Sequence, residues 1–273
     1  SMAVNAHGRN VKEINGKRFG TIASMVESFD ILTVENGASV MKHCSPTENK
    51  DLFAAAMGGY GMYGVIMKAK IRLQQNVAVT KKTISFPAEE FPEQFRKYVK
   101  EGVDGVKPVQ MVGRLQVGHD FQLANEGLMS LVYETEGQPP PIQPYHASKD
   151  EMRKTVLRIA RHDELGPSSQ IGNRVRWVAE RNVGPLLAGD ESKKVSSLNN
   201  ELTEGIQFLM PENREDLGVG TEFFIPDDSK EQFKQFIDDL RRLTDKYKLP
   251  TIHITVRHVA ADDRTLMKYA EKD

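Results

Sequence analysis

Four glycines fall within seven residues in Gly58-Gly59-Tyr60-Gly61-Met62-Tyr63-Gly64, and Val65-Ile66 comes directly after. Glycine lacks a Cβ, so such a run lets main chain lie against a flat or bulky group and reach positive φ. Ligand binding by backbone amides is the chemistry it could serve. A helix C-cap leading into a tight turn uses the same residues, and spacing alone leaves both readings open. Element order narrows the first. Dinucleotide loops run from strand through glycines into a helix whose N-terminus meets phosphate. Here an apolar stretch of helical character, Asp51 to Met57, precedes the glycines. Val65 to Leu73, with alternating Lys and Arg, succeeds them as a strand with one wet face. That order disfavours a dinucleotide fold, and a phosphate-cradling loop would also need the absent Gly-Lys-Ser/Thr.

Other chemistries find little support. There is no Gly-x-Ser-x-Gly, no His-Glu-x-x-His and no zinc-spaced Cys/His cluster, so hydrolytic and metal-dependent readings lack their residues. Arg174, Arg176 and Arg181 around the single tryptophan, Trp177, could form an anion site or a solvated helix face. The 37 Lys and Arg balance 38 Asp and Glu, which gives nucleic acid no basic surface. One cysteine, Cys44, excludes an internal disulfide and fits a reducing cytoplasm. No apolar run approaches the ~20 residues that cross a bilayer. Ser1-Met2 reads as an expression scar, and Val4 to Asn10 begins as if mid-domain, so a chain truncated at both ends is expected.

The elements that must position these residues are legible in order. Met25 to Val34 and Ala38 to His43, joined through Asn36-Gly37, predict a β-hairpin, because both turn residues tolerate positive φ. Ser45 to Asn49 supplies turn and capping groups for the helix before the glycines. Strands are expected near residues 77–86, 109–117, 127–134, 205–210, 220–226 and 250–259. Helices are expected from Pro87, over 148–182, after Asp227-Asp228-Ser229 and at the C-terminus. In the third of these, Phe233, Phe236, Ile237, Leu240 and Leu243 form the apolar stripe. Pro139 to Pro141 marks a surface connector, and 189–200 a polar, mobile loop. The sum is an α+β fold with mainly antiparallel sheets and a boundary near residue 75.

Asn5-Ala6-His7-Gly8-Arg9-Asn10, Ser28 to Thr33, Cys44 to Asn49, Asp51-Leu52-Phe53 and Gly58 to Ile66 together resemble, in order and spacing, the FAD-linked oxidases. This is the vanillyl-alcohol oxidase and p-cresol methylhydroxylase (PCMH-type) superfamily, and the sugar-oxidising members, such as decaprenylphosphoryl-ribose oxidase and alditol or aldonolactone oxidases, look nearest. Glu222 to Pro226 resembles a strand of their substrate domain. Val256 to Asp262 is similar to their substrate-arginine segment, although Thr255 stands where alditol oxidases carry glutamate.

The resemblance implies that residues 3–75 are the C-terminal lobe of an FAD-binding domain and 76–273 an incomplete substrate or cap domain. It implies FAD as cofactor, bordered by Asn5, His7, Gly8, Gly58, Gly59, Gly61, Gly64, Val65 and Ile66. It also implies Arg257 and Glu222 as catalytic residues, Arg257 orienting a hydroxyl or steadying an alkoxide and Glu222 binding hydroxyls or taking a proton. The expected activity of the whole protein is oxidation of a hydroxyl-bearing, sugar- or alditol-like small molecule by hydride transfer to flavin. This chain is its central fragment, expected to be colourless and inactive alone. Without the resemblance, His7 reads as a hydrogen-bonded core histidine, Glu222 as an exposed strand residue and Arg257 as an ion-pair partner of Asp262 or Asp263. The alternative function is a flavin-free remnant that binds a small ligand or a protein through its sheet.

Overall fold

The computed structural model describes residues 2–14, 17–18, 20–117, 123–141, 177, 181, 194–199, 221–226, 229–247, 251, 254–268 and 270. Apart from Trp177 and Arg181, the expected helix over 148–182, with Arg174 and Arg176, lies outside the described residues, as do the strand over 205–210 and residues 189–193 and 200. The chain forms two compact units, one of residues 1–75 with 257–273 and one of 76–256. Both are built on antiparallel sheet, so the fold is α+β. The tail 257–273 packs with the first unit, not with 76–256 as the sequence grouped it, because its polar groups find partners there.

In the first unit a two-residue-strand hairpin, β1 (Glu13–Ile14) and β2 (Lys17–Arg18), and a single helical turn, α1 (Ile22–Met25), lead into β3 (Val26–Glu35). Asn36 and Gly37, at φ 50 and 79, turn the chain into β4 (Ala38–Cys44). Two left-handed residues match the twist of the flanking strands, and the expected hairpin is present. Helix α2 (Lys50–Ala56) then crosses to β5 (Val65–Ile71), on the far side of β3, giving the order β4-β3-β5.

Phe29, Ile31 and Val26 of β3 face α2 with Cys44, Phe53, Ala56 and Met57, and the Phe29 and Phe53 rings stack at 5.2 Å. Register shifts make this face continuous. Met67 is the extra residue where pairing passes from Asp30↔Lys68 to Ile31↔Ile66. That bulge lets both Ile66 and Ala69 turn inward onto the core despite their spacing.

Two local expectations fail. Asn49, at the start of α2, caps nothing; its amide donates to the His43 carbonyl at 2.7 Å, and the turn is held by Ser45 Oγ accepting from the Glu48 amide at 2.9 Å. The expected C-terminal helix is absent among the described residues, where 262–268 run as irregular chain.

The second unit orders its strands β10-β7-β8-β6-β9, all antiparallel. They are β6 (Ala78–Pro87), β7 (Gln110–Leu115), β8 (Glu126–Glu134), β9 (Ser196–Ser197) and β10 (Ile254–Val256). The sequence placed Ser196 and Ser197 in a mobile loop; instead they pair with Val79 and Ala78. After β6 comes α3 (Phe91–Phe95), which continues as a π-helix to Glu101. A long helix, α4 (Lys230–Tyr247), buries Phe233, Ile237 and Thr244. Leu243, expected in its apolar stripe, is exposed, and Thr244 takes the inward position. Phe91 stacks on Phe233 at 5.8 Å and meets Phe86 edge-on at 5.5 Å. Gly113 makes room for this cluster, since a Cβ there would enter the Phe91 ring.

Arg241 of α4 ties the turn after β7. Its Nε donates to the Leu123 carbonyl at 2.9 Å and its Nη2 to the Ala124 carbonyl at 3.0 Å and Asn125 Oδ1 at 2.7 Å. Leu123 and Ala124 are buried, so losing the guanidinium strands two carbonyls. Arg241→Ala should lower unfolding free energy in urea by about 1–3 kcal/mol, with Arg241→Lys recovering only part. Burial pushes the Cys44 thiol up from its ordinary range. The native chain should therefore resist alkylation near neutral pH, and the same thiol should react fully in denaturant, counted by mass spectrometry.

Candidate functional site

All proposed cofactor-side residues and Arg257 lie in the first unit, and Glu222 lies in the second. Their environments differ. Met57, Gly58 and Gly59 are buried, whereas Tyr60 and Met62 are 67% and 69% exposed. The glycine run is thus half internal hinge and half exposed tip.

The internal half is held by residues 2–5. The Met2 carbonyl accepts from the Gly58 amide at 3.0 Å and from the Asn5 amide at 3.1 Å, and the Ala3 carbonyl accepts from the Tyr60 amide at 2.8 Å. Gly58 has φ +79; a Cβ on Gly59 would run into the Ala55 carbonyl and the Tyr63 ring, and one on Gly64 (φ +135) into the Leu32 carbonyl. Gly59 and Gly64 permit close approach to the protein's own main chain, while Gly58, whose Cβ would meet only ordinary contacts, answers to its positive φ. Gly61 (φ +81) and Gly8 are different: a Cβ at either would meet nothing within 4 Å.

Asn5 is 1% exposed with φ 43, a left-handed conformation Asn tolerates. Its Oδ1 accepts from the Ala23 amide at 3.0 Å and its Nδ2 donates to Asp262 Oδ2 at 2.8 Å. Its side chain is therefore occupied within the fold. His7 bridges Thr21, and the Gly8 amide donates to the Gly20 carbonyl at 3.3 Å. The tail closes on this strip, with the Ala260 amide 3.0 Å from where a Gly20 Cβ would stand. Val65 is exposed, but Ile66 turns inward onto the core, so the apolar surface expected from the pair comes from Val65 alone.

Arg257, at the root of this tail, has its Nε buried with no hydrogen-bond partner. The Asp262 carboxylate, one expected ion-pair partner, is taken by Asn5, the Arg264 amide at 2.9 Å, the Thr265 amide at 3.2 Å and the Thr265 hydroxyl. Two residues past Asp262, Arg264 lies 5.4 Å from the Phe53 ring centroid and donates to the Val26 carbonyl at 2.9 Å. Glu222 is exposed, and Thr221 to Pro226, expected as a strand, is irregular. Phe223 there packs on Phe236 of α4 at 5.4 Å, a side-chain contact that needs no ladder.

Against known proteins, no family model matches the chain. Cytokinin dehydrogenase 9 and cytokinin dehydrogenase 10 of Oryza sativa subsp. japonica are each 44% identical over 57 residues, which is 21% of this chain and 10% of theirs. The chain therefore matches only a small part of each relative. Among solved structures, a solvent-stable cholesterol oxidase has TM-score 0.44 at 12% identity, covering 73% of this chain and 38% of its own. Cholesterol oxidase from B. sterolicum has TM-score 0.45 at 11% identity, covering 68% and 36%. Among the described residues, no helix is long and apolar enough to cross a membrane and no acidic, His or Cys cluster could hold a metal ion.

Sequence reasoning missed Gly20 and the Asn5–Asp262 bond. Only a short Asp-Asp pair at 262–263 marks the latter, and in sequence it reads as a partner for Arg257. The two kinds of glycine should separate by mutation. Gly59→Ala should cost about 1–3 kcal/mol of unfolding free energy from overpacking, and Gly61→Ala only about 1 kcal/mol from its positive φ, read by urea denaturation.

Proposed function

We propose that this chain carries part of an FAD-dependent oxidoreductase that oxidises a hydroxyl-bearing, sugar- or alditol-like small molecule. On this proposal residues 3–75 with the tail are one lobe of the FAD-binding domain, and the second unit is the substrate domain. The observation that carries it is the Arg257 Nε, buried without a partner in the tail that passes Gly20, itself bonded to Gly8. An unmatched buried guanidinium N–H is unfavourable by about 1–3 kcal/mol or more, and a polar ligand would relieve it. The 57-residue stretch shared with two dehydrogenases at 44% identity supports the same class of chemistry.

The residues fit FAD at one end of the site. Open main chain at Gly8 and Gly61 and the exposed apolar Val65 suit a flat, partly apolar cofactor, and His7 stands next to Gly8. Asn5, Gly58, Gly59 and Gly64 are assigned to shaping that surface from behind. Bound FAD supplies the hydride acceptor. Arg257, a permanently charged forked donor, holds the substrate hydroxyl and steadies the charge that grows on its oxygen. A cytoplasmic setting belongs to the proposal, on the strength of one buried, reduced cysteine.

The test is an FAD titration of the isolated chain, monitored by quenching of flavin fluorescence and by visible circular dichroism. Weak but saturable binding is expected, and Arg257→Ala, whose side chain is assigned to the substrate and not to the cofactor, should leave it within about twofold. A colourless chain on purification agrees with the proposal, because only part of the cofactor's grip is in this chain; no saturable response to added FAD sinks the assignment of these residues to a flavin surface.

A further inference from the structure

We infer that Asp262 is a positioning residue: its carboxylate, acting through Asn5, sets the conformation of the Gly58–Tyr60 bend, and the tail it anchors carries Arg257. The role in catalysis rests on the flavin-dependent function proposed above; the coupling itself rests on bonds within the first unit.

Asp262 is 7% exposed and lies 257 residues from its partner Asn5. A carboxylate only accepts, and this one is enclosed by donors: Asn5 Nδ2 at 2.8 Å, the Arg264 amide at 2.9 Å, the Thr265 amide at 3.2 Å and the Thr265 hydroxyl. Three of these fold the tail onto itself. The fourth reaches outward and fixes the Asn5 amide plane, which turns Oδ1 to the Ala23 amide.

From Asn5 the link passes through main chain. The Met2 carbonyl receives both the Asn5 and the Gly58 amides, and the neighbouring Ala3 carbonyl receives Tyr60. A shift of Asn5 therefore moves the two carbonyls that hold the bend. The tail continues the contact: the Met267 carbonyl lies 3.6 Å from where a Gly58 Cβ would stand, and the Leu266 amide donates to the Ala54 carbonyl at 2.9 Å. In the other direction the tail runs back past Gly20 to Arg257. One carboxylate thus references the bend and the arginine to the same point.

Amide hydrogen exchange on the full chain tests the coupling, with FAD titration beside it. Asp262→Asn places an amide donor against the Asn5 donor. It should accelerate exchange at Gly58, Tyr60 and Ala23 about tenfold or more, leaving the β3–β4 hairpin amides at wild-type rates, and should weaken FAD binding by a similar factor. The reversed pair N5D/D262N restores one donor facing one acceptor and should return both readouts most of the way to wild type. Thr265→Val, which removes a single hydroxyl donor, should give the same pattern at about threefold and serves if Asp262→Asn does not fold. Wild-type exchange at Gly58 and Tyr60 in the folded variants, or acceleration spread equally over the hairpin, overturns the positioning role. Absence of FAD binding by the wild-type chain falls instead on the flavin proposal, because the exchange result does not depend on it.

Discussion

One buried amide closes the first unit. Asn5 satisfies a main-chain donor in α1 with its oxygen and a carboxylate near the chain's other end with its nitrogen. Buried polar groups must be matched, and here each would strand the others if removed. Loop-closure entropy rises only logarithmically with length, so joining residues this far apart is little harder than joining residues at a quarter of the separation. A small number of well-matched bonds can hold the tail because the Phe29 and Phe53 rings already provide a firm surface beneath Arg264.

The features legible in the sequence were local ones. Asn36-Gly37 between two β-rich runs specified the hairpin because its two backbone conformations are intrinsic to the turn residues. The strand character of β5 and the apolar stretch of α2 were equally self-contained, since each depends on neighbours a few residues away, but the period of two expected in β5 is broken by the Met67 bulge. Failures cluster where a distant partner decides. Asn49 offered a cap, but the His43 carbonyl takes its amide; the tail reads as a helix, yet its polar groups are claimed by Asn5 and by its own carboxylate. Thr221 to Pro226 has a strand's composition, yet Phe223 is held by a helix ring.

The candidate site shows the same division. Glycine spacing announced that something approaches closely, and could not say what. Gly59 and Gly64 answer to main chain of this protein, Gly58 to its own positive φ, and Gly8 and Gly61 face open space. Arg257 was found through its resemblance to a substrate-binding segment; its physical distinction, a buried donor with no acceptor, is a property of three-dimensional packing that no residue pattern encodes.

The Met67 bulge acts beyond core packing. An outer strand displays a ladder of free main-chain groups, and a long flat one invites a second copy to pair with it. Inserting one residue midway breaks the regular repeat of that ladder in β5, and Lys68 and Lys70, both exposed, set positive charge beside the break. The same irregularity that turns Ile66 and Ala69 inward thereby makes β5 a poor template for self-association, so guarding against aggregation and filling the interior are achieved by a single extra residue.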